Sequence, residues 1–269
     1  MKLLFCGDIV GRPGRAAVVR HLPGLRRSLG LDLVVGNGEN AAAGFGITPK
    51  VAAELHDAGI DIITTGNHAF DQREIIPYMD QDQRILRPAN YPPGTPGRGA
   101  TLIRTGGGRD VLVVQVMTRL FMEALDDPFR AVEDALAEHD MGRTVDAVIV
   151  DVHGEATSEK MAMGHMLDGR VSMVVGSHSH VPTADAQVFT GGTAYQTDAG
   201  MCGDYDSVIG MEKDEAIARF VTRMRRERLS PSSGEGTLCA VYCETDDATG
   251  RALRVCPVRQ GGRLAPALP

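Results

Sequence analysis

The stretch that decides the fold is Val174-Val175-Gly176-Ser177-His178-Ser179-His180-Val181, in which a β-prone run meets a glycine and two histidines. Four other apolar runs, at residues 3–6, 33–35, 62–65 and 147–151, also end next to polar side chains. These side chains are Asp8, then Glu39 and Asn40, then Asn67 and His68, and finally His153. In an open α/β sheet the carboxyl ends of the strands form the binding crevice. The sequence therefore predicts that these side chains converge.

The composition is that of a globular protein with an acidic balance. The 269 residues are 43% hydrophobic, which is enough for one large domain or two small ones. The formal net charge of −7 argues against broad binding to nucleic-acid backbones. Aromatic residues are only 4% and tryptophan is absent, so no stacking platform for single strands is evident. We expect no extended nucleic-acid surface.

The cysteines and the apolar runs bear on the compartment. Five cysteines form no C-x-x-C pair, which favours reduced thiols. The chain enters a strand at Lys2 without an apolar leader, and no run approaches the roughly 18 apolar residues of a membrane span. We expect a cytoplasmic protein with no membrane partner. A homo-oligomer would be ordinary for an enzyme, and the sequence shows no interface pattern that decides the assembly state.

The order of predicted elements indicates an α/β protein. Strands at 2–6, 31–35 and 60–65 alternate with helices that start near Pro13 and at Thr48-Pro49, which implies parallel strands with right-handed crossovers. Further strands are predicted at 101–104, 111–116, 146–151, 171–175, 186–190, 193–198, 237–243 and 252–258. Further helices are predicted at 73–79, 129–137, 158–166 and 213–226. This pattern favours one domain over residues 1–269, built from two packed sheets with helices outside.

The polar side chains at the strand ends have the chemistry of metal ligands. Seven are candidates: Asp8, Glu39, Asn40, Asn67, His153, His178 and His180. Such a set can hold two divalent or trivalent ions if a carboxylate bridges them, and Glu39 is the best bridge. Imidazole with oxygen ligands suits Fe, Mn or Zn, and the absence of thiolate argues against a closed structural zinc site. Two ions about 3.5–4 Å apart would clamp a phosphoryl group and activate a water.

Each signal also has a simpler interpretation. A single Asp after a strand, such as Asp8, is more often a cap or turn residue than a ligand. Asn37 between two glycines could form a tight turn with positive φ. Residues 118–128 either form part of a lid or pocket wall, or their apolar side chains pack inside. A basic run is interpreted as a solvated helix face near a helix end; it comprises Arg219, Arg223, Arg225, Arg226 and Arg228. The combination of five strand ends is what favours a metal site.

Several blocks of the sequence resemble a known family. Gly7-Asp8, Gly38-Glu39-Asn40, Gly66-Asn67-His68, His153 and Gly176-Ser177-His178-Ser179-His180 resemble the calcineurin-like metallophosphoesterases. More narrowly, five blocks are similar to the bacterial YmdB-type phosphodiesterases: Gly7-Asp8-Ile9-Val10-Gly11, Asn37-Gly38-Glu39-Asn40-Ala41-Ala42, Arg87-Pro88-Ala89-Asn90, Leu125-Asp126-Asp127-Pro128-Phe129, and the run from His153 to Lys160. The resemblance covers residues 1 to about 258.

The resemblance implies a four-layer α/β/β/α sandwich of two mixed sheets with a dinuclear site in which Fe or Mn is favoured over Zn. It places Asp8, Asn40 and His180 on one metal, Asn67, His153 and His178 on the other, and Glu39 between them. The chain departs from the broader superfamily, because Val10 replaces the usual histidine of the first motif and Glu39 replaces a bridging Asp. Asn40 is expected to replace the missing histidine.

His68 follows a ligand directly, so the resemblance implies that it projects into the pocket. Its expected role is that of a general acid that protonates the leaving alkoxide. The alternative is that it orients a ligand or the phosphate.

The predicted function is hydrolysis of small phosphodiesters, above all cyclic nucleotides such as 2′,3′- or 3′,5′-cyclic monophosphates, by attack of a metal-bridging hydroxide. RNA ends that carry a phosphodiester are further candidates. One alternative is a phosphomonoesterase or 5′-nucleotidase on the same site. The other is a regulatory scaffold that binds RNA or protein, with slow chemistry. The acidic balance argues against an RNA scaffold.

Overall fold

The computed structural model describes residues 1–269. Its first sheet contains the strands β1 (Lys2–Cys6), β3 (Leu33–Asn37), β4 (Ile62–Thr64), β5 (Ile85–Leu86), β13 (Leu238–Thr245) and β14 (Ala252–Gln260). Across the sheet they lie in the order β14-β13-β1-β3-β4-β5. Strands β1, β3, β4 and β5 are parallel, whereas β13 and β14 are antiparallel to their neighbours. The sheet is therefore mixed, as the family resemblance implied.

The second sheet has the order β10-β11-β9-β8-β7-β6 and is also mixed. Its strands are β6 (Ala100–Arg104), β7 (Asp110–Met117), β8 (Ala147–His153), β9 (Met173–Ser177), β10 (Gln187–Val188) and β11 (Ala194–Gln196). Strands β7, β8, β9 and β11 are parallel. A third, two-stranded sheet joins β2 (Asp8–Ile9) to β12 (Met201–Cys202). This small sheet was not predicted, because two-residue strands leave no periodicity to recognise.

The chain has six helices. They are α1 (Gly11–Leu29), α2 (Pro49–Asp57), α3 (Ile75–Gln81), α4 (Pro128–Leu136), α5 (Thr157–Met166) and α6 (Lys213–Thr222). Helices α1 to α5 cover the outer faces of the two sheets, whereas α6 buries only Ala216. The predicted start of α2 is confirmed, because the Thr48 hydroxyl accepts a hydrogen bond from the Val51 N–H and Pro49 begins the helix. No helix is both long and apolar enough to cross a membrane.

Alternation along the strands produces four layers. In β1, Leu3 and Phe5 belong to a buried cluster shared by the two sheets, whereas Leu4 and Cys6 belong to a cluster formed with α1 and α2. A third cluster packs the second sheet against α4 and α5. Three apolar interfaces between four layers confirm the predicted α/β/β/α sandwich. The shared central cluster supports one domain over residues 1–269, which stays a prediction.

The last helix differs from its prediction over residues 213–226. Helix α6 ends at Thr222, and Arg223 adopts a left-handed conformation with φ of 58°. The Glu215 carboxylate pairs with Arg219 and also accepts a hydrogen bond from the Arg226 N–H at 3.2 Å. The chain therefore folds back along its own helix, and the arginines from residue 223 onward lie in a loop.

Candidate metal centre

The seven predicted ligands lie at or just after the carboxyl ends of strands of the two main sheets, and the two sheets bring these ends together. The residues after β1, β3 and β4 face those at the ends of β8 and β9. Asn37 connects the sheets directly, because its amide donates to the Thr65 carbonyl at 2.6 Å and contacts Ser177 Oγ at 3.4 Å. The predicted convergence is therefore observed.

One half of the site is arranged around the imidazole of His153. Its Nε2 lies 3.2 Å from Glu39 Oε1, 3.0 Å from Asn67 Oδ1 and 3.2 Å from His178 Nδ1. Ligand atoms of Glu39, His153 and His178 all lie within 4.8 Å of one another. One carboxylate and two imidazoles within this distance form a donor set that suits a borderline divalent ion.

The remaining candidates are Asp8, Asn40 and His180, of which Asp8 and His180 lie close together. The Asp8 carboxylate is fully buried, and its Oδ2 accepts the His178 N–H at 3.0 Å. Its other oxygen, Oδ1, lies 3.8 Å from His180 Nε2 and has no hydrogen-bond partner. The Asn40 amide donates to the Gly44 carbonyl, whereas its Oδ1 is buried without a partner. Buried acceptors that lack a donor are costly, and a bound cation would satisfy an oxygen of this kind.

The structure sets the orientation of the His153 ring. The Ser177 hydroxyl donates to Asp151 Oδ1 at 2.7 Å and lies 2.9 Å from His153 Nδ1. Because the single hydroxyl proton goes to Asp151, Ser177 Oγ accepts the Nδ1–H of His153. Nε2 therefore points at Glu39 and Asn67, which is the arrangement of a metal-binding histidine held by an outer partner.

The loop that carries His178 and His180 is held by a buried ion pair. Both histidines have left-handed backbones, with φ of 102° and 64°. The Lys160 ammonium donates to the Ser177 carbonyl at 2.7 Å and to Asp198 Oδ2 at 2.9 Å, and both side chains are 1% exposed. Asp198 Oδ2 also accepts the Ser179 N–H. The pair therefore fixes the peptides on either side of His178.

The charges of the site are strongly coupled. Burial would raise the pKa of Glu39, but the charge and hydrogen bond of His153 and the proximity of His68 lower it to about 2. Burial would lower the pKa of His153, but Glu39, Asp8 and Asp151 raise it to about 9. Burial and the neighbouring His153 lower the pKa of His178 to about 3. The acidic side chains of the site therefore surround one positively charged group, the His153 imidazolium. A metal ion also suits this negative surrounding.

His68 lies at the open side of the centre. Its N–H donates to Glu39 Oε2 at 3.0 Å, and its side chain is 27% exposed. Its Nδ1 lies 2.8 Å from Asp71 Oδ2, and its ring contacts the Phe45 ring edge to face at 5.2 Å. With Nδ1 engaged by the carboxylate, Nε2 is the nitrogen left to face a substrate.

Three supporting residues were missed or misinterpreted from the sequence. Asn37 was given a turn role, yet its Oδ1 accepts the Glu39 N–H at 3.0 Å and holds the loop of the bridging candidate. Asp151 carried a usable signal, because an acidic residue interrupts an otherwise apolar strand. Lys160 lies in a block that resembles the family, but nothing local to that block indicates its pairing with Asp198.

The 118–128 loop adjoins the site through its first residue. The Thr118 N–H donates to the His153 carbonyl at 2.9 Å. Phe121 is 88% exposed and Leu120 is 51% exposed, so the suggestion that these two residues pack inside is wrong. A role for this loop as a lid or pocket wall stays a prediction.

Comparison with known proteins identifies the family. The model of the YmdB-like proteins matches residues 4–258. The chain belongs to the YmdB-like family. All seven candidate ligands and His68 of this YmdB-like chain lie inside the matched range. The family predicted from the sequence is thus confirmed, whereas the role of each ligand stays a prediction.

Relatives of this YmdB-like chain match it along most of its length. A Bacillus subtilis (strain 168) protein named 2′,3′-cyclic-nucleotide 2′-phosphodiesterase is 42% identical over 255 residues, which are 95% of each chain. A solved structure of a hypothetical protein from Thermus thermophilus is 44% identical, with a TM-score of 0.90 over 98% of this chain and 100% of that one. The crystal structure of a novel phosphatase from Mycoplasma pneumoniae is 30% identical, with a TM-score of 0.89 over 97% and 93%.

Proposed function

We propose that this protein is a metal-dependent phosphodiesterase that hydrolyses 2′,3′-cyclic nucleotides. The observation that carries the proposal is the Bacillus subtilis relative of that name, which is 42% identical over 95% of both chains. The same relative confirms the predicted enzyme class, a phosphoric diester hydrolase. The converging Glu39, His153 and His178 support the metal dependence. The residue roles, the metal and the choice among cyclic nucleotides belong to the proposal.

The metal centre is proposed to hold two ions, with Fe or Mn favoured over Zn. Asp8, Asn40 and His180 would hold one, Asn67, His153 and His178 the other, and Glu39 both. The unpaired Oδ1 atoms of Asp8 and Asn40 fit the oxygen-rich first position. When bound, such ions polarise a phosphoryl group and lower the pKa of a water.

The chain's own residues position the reacting groups. Asp151 and Ser177 keep His153 Nε2 aimed at the centre, and Lys160 with Asp198 holds the loop of His178. His68 is proposed to donate a proton from Nε2 to the leaving alkoxide, while the Asp71 carboxylate holds Nδ1. General-acid assistance of this kind contributes roughly 10²–10⁴-fold to a rate.

A phosphomonoesterase activity on the same site is the second candidate. One observation favours it: proteins from Mycoplasma genitalium and Mycoplasma pneumoniae, 31% and 32% identical to this chain, are both named putative phosphatase/phosphodiesterase. A monoester would occupy the same metal centre, so only kinetics can rank the two substrate classes.

The test compares substrates on protein that is stripped with a chelator and reloaded with Mn²⁺ or Fe²⁺. Adenosine 2′,3′-cyclic monophosphate, adenosine 3′,5′-cyclic monophosphate, 5′-AMP and bis-p-nitrophenyl phosphate are each incubated with the protein, and products are separated by chromatography. The expected product of the first is 3′-AMP, formed only with metal. Glu39→Gln should abolish turnover, whereas Glu138→Gln, which changes an exposed residue, should behave as the unmutated protein. Hydrolysis of 5′-AMP alone would replace the proposal with the phosphomonoesterase alternative.

A further inference from the structure

A short exposed segment carries unusual positive charge for this acidic chain. We call residues 223–228, Arg-Met-Arg-Arg-Glu-Arg, the arginine segment. All six residues are exposed. The segment has four arginines, and none of their guanidinium groups forms an ion pair. They are Arg223, Arg225, Arg226 and Arg228. Glu227 is the only acidic residue among them, so the segment has a net charge of +3 in a protein of net charge −7. Unpaired arginines are well suited to bind phosphate oxygens.

The structure fixes this segment beside the metal centre. Leu229, which follows it, packs against buried Val10 and Met201, and the next residue, Ser230, accepts the Glu212 N–H through its carbonyl. The Arg228 guanidinium lies 6.0 Å from the centre of the Phe45 ring, and that ring contacts His68. Arg228 therefore lies at the rim of the site, and the other arginines precede it within five residues of the chain.

An aromatic side chain accompanies the charges. Phe220 is 79% exposed at the end of α6, and Met224 is 64% exposed within the segment. Exposed aromatic rings next to basic side chains are the usual means of binding single-stranded nucleic acid, because any base can stack on them while arginine binds the backbone. This local combination is present although the composition of the whole chain indicated no such surface.

We propose that the arginine segment binds the backbone phosphates of an RNA strand whose 3′ end, closed as a 2′,3′-cyclic phosphate, lies at the metal centre. The inference rests on the proposed function and extends its substrate class from mononucleotides to RNA ends. A mononucleotide carries one phosphate, which the metal centre occupies. Only a longer strand carries further phosphates for the other arginines of the segment, which are Arg223, Arg225 and Arg226.

The experiment compares adenosine 2′,3′-cyclic monophosphate with a tetraribonucleotide that ends in the same cyclic phosphate, both hydrolysed by the full Mn²⁺-loaded chain. KM is measured across a salt series. Each phosphate bound in a single strand contributes a slope of about −0.7 to the logarithm of affinity against the logarithm of salt. Two phosphates would therefore raise KM for the tetranucleotide about 7-fold between roughly 50 and 200 mM salt. KM for the mononucleotide should rise much less.

The variant Arg225→Gln/Arg226→Gln should lose this extra salt dependence and the preference for the tetranucleotide. The control Arg251→Gln/Arg254→Gln removes two exposed arginines at the end of the first sheet that is far from the metal centre. Arg254 pairs with Glu244 on β13, and Glu244 pairs with Lys2, which begins β1. It should behave as the unmutated protein.

Each outcome separates the two proposals. Equal salt slopes for both substrates in the unmutated protein would overturn the role of the segment while leaving the phosphodiesterase intact. A slope that persists in Arg225→Gln/Arg226→Gln would do the same. If neither substrate is hydrolysed although metal is bound, the proposed function itself fails.

Discussion

Replacement of Lys160 by methionine tests how the fold holds the histidine loop. Lys160 is 1% exposed and connects the Ser177 carbonyl to the Asp198 carboxylate. Methionine keeps most of the apolar stem, so the change removes the charge and its hydrogen bonds with little loss of packing. Asp198 would then remain buried with only the Ser179 and Gly200 N–H groups as partners.

The expected cost is large because an unpaired carboxylate stays out of water. Removal of one partner from a buried ion pair costs about 3–5 kcal/mol. That is a substantial part of the roughly 5–15 kcal/mol that stabilises a typical domain. In Lys160→Met/Asp198→Asn the stranded charge is also removed, so the double variant should be less destabilised than the sum of the single changes by about 0.5–3 kcal/mol.

The free energy of unfolding is measured by urea titration of the metal-free chain, so that metal binding does not contribute. Lys50→Met is the matched control, because Lys50 is exposed on α2 and its replacement should change stability by less than about 0.5 kcal/mol. Titration of Lys160→Met with Mn²⁺ then tests the loop that carries His178 and His180. The affinity of this variant for Mn²⁺ should fall roughly 10–100-fold, as for other changes to groups that orient metal ligands. A cost of Lys160→Met below about 1 kcal/mol, with unchanged affinity for Mn²⁺, would refute the reasoning.

Three further predictions concern the centre and the stability of the fold. His68→Asn should lower kcat by about 10²–10⁴-fold while metal content, measured by elemental analysis, stays at the unmutated level; loss of metal instead would assign His68 a ligand-orienting role. Gly66→Ala should prevent metal binding, because its Cβ would clash with Glu39 Oε2 and His153 Nε2, whereas Gly106→Ala has open space and should bind normally. Burial lowers the pKa of His56 below 6.5, so the unfolded state takes up more protons as the pH falls. The free energy of unfolding should therefore decrease below about pH 6.5, and His56→Asn should show a smaller decrease between about pH 7.5 and pH 5 in urea titrations; an identical decrease would contradict this assignment.

The sequence alone was sufficient to predict the layers of the fold and the family of the protein. Apolar runs such as that of β8 mark strands buried on both faces, and the local preferences of Thr48-Pro49 mark the start of a helix. These signals are local, because burial and capping act on residues close together in the chain. The polar residues at five strand ends could also be recognised, since parallel strands place their carboxyl ends at one edge of a sheet.

Only the tertiary structure decided which atoms meet. The Asp151–Ser177–His153 chain and the Lys160–Asp198 pair join residues far apart in sequence, and their energies depend on burial that no local pattern specifies. The predicted end of α6 was wrong for the same reason. The chain reverses after the helix, and the Arg226 N–H donates to the Glu215 carboxylate. The arginine segment gained its position at the site from the packing of Leu229. Hydrogen bonds and ion pairs act over a few ångströms in space, whereas sequence patterns report only on neighbours along the chain.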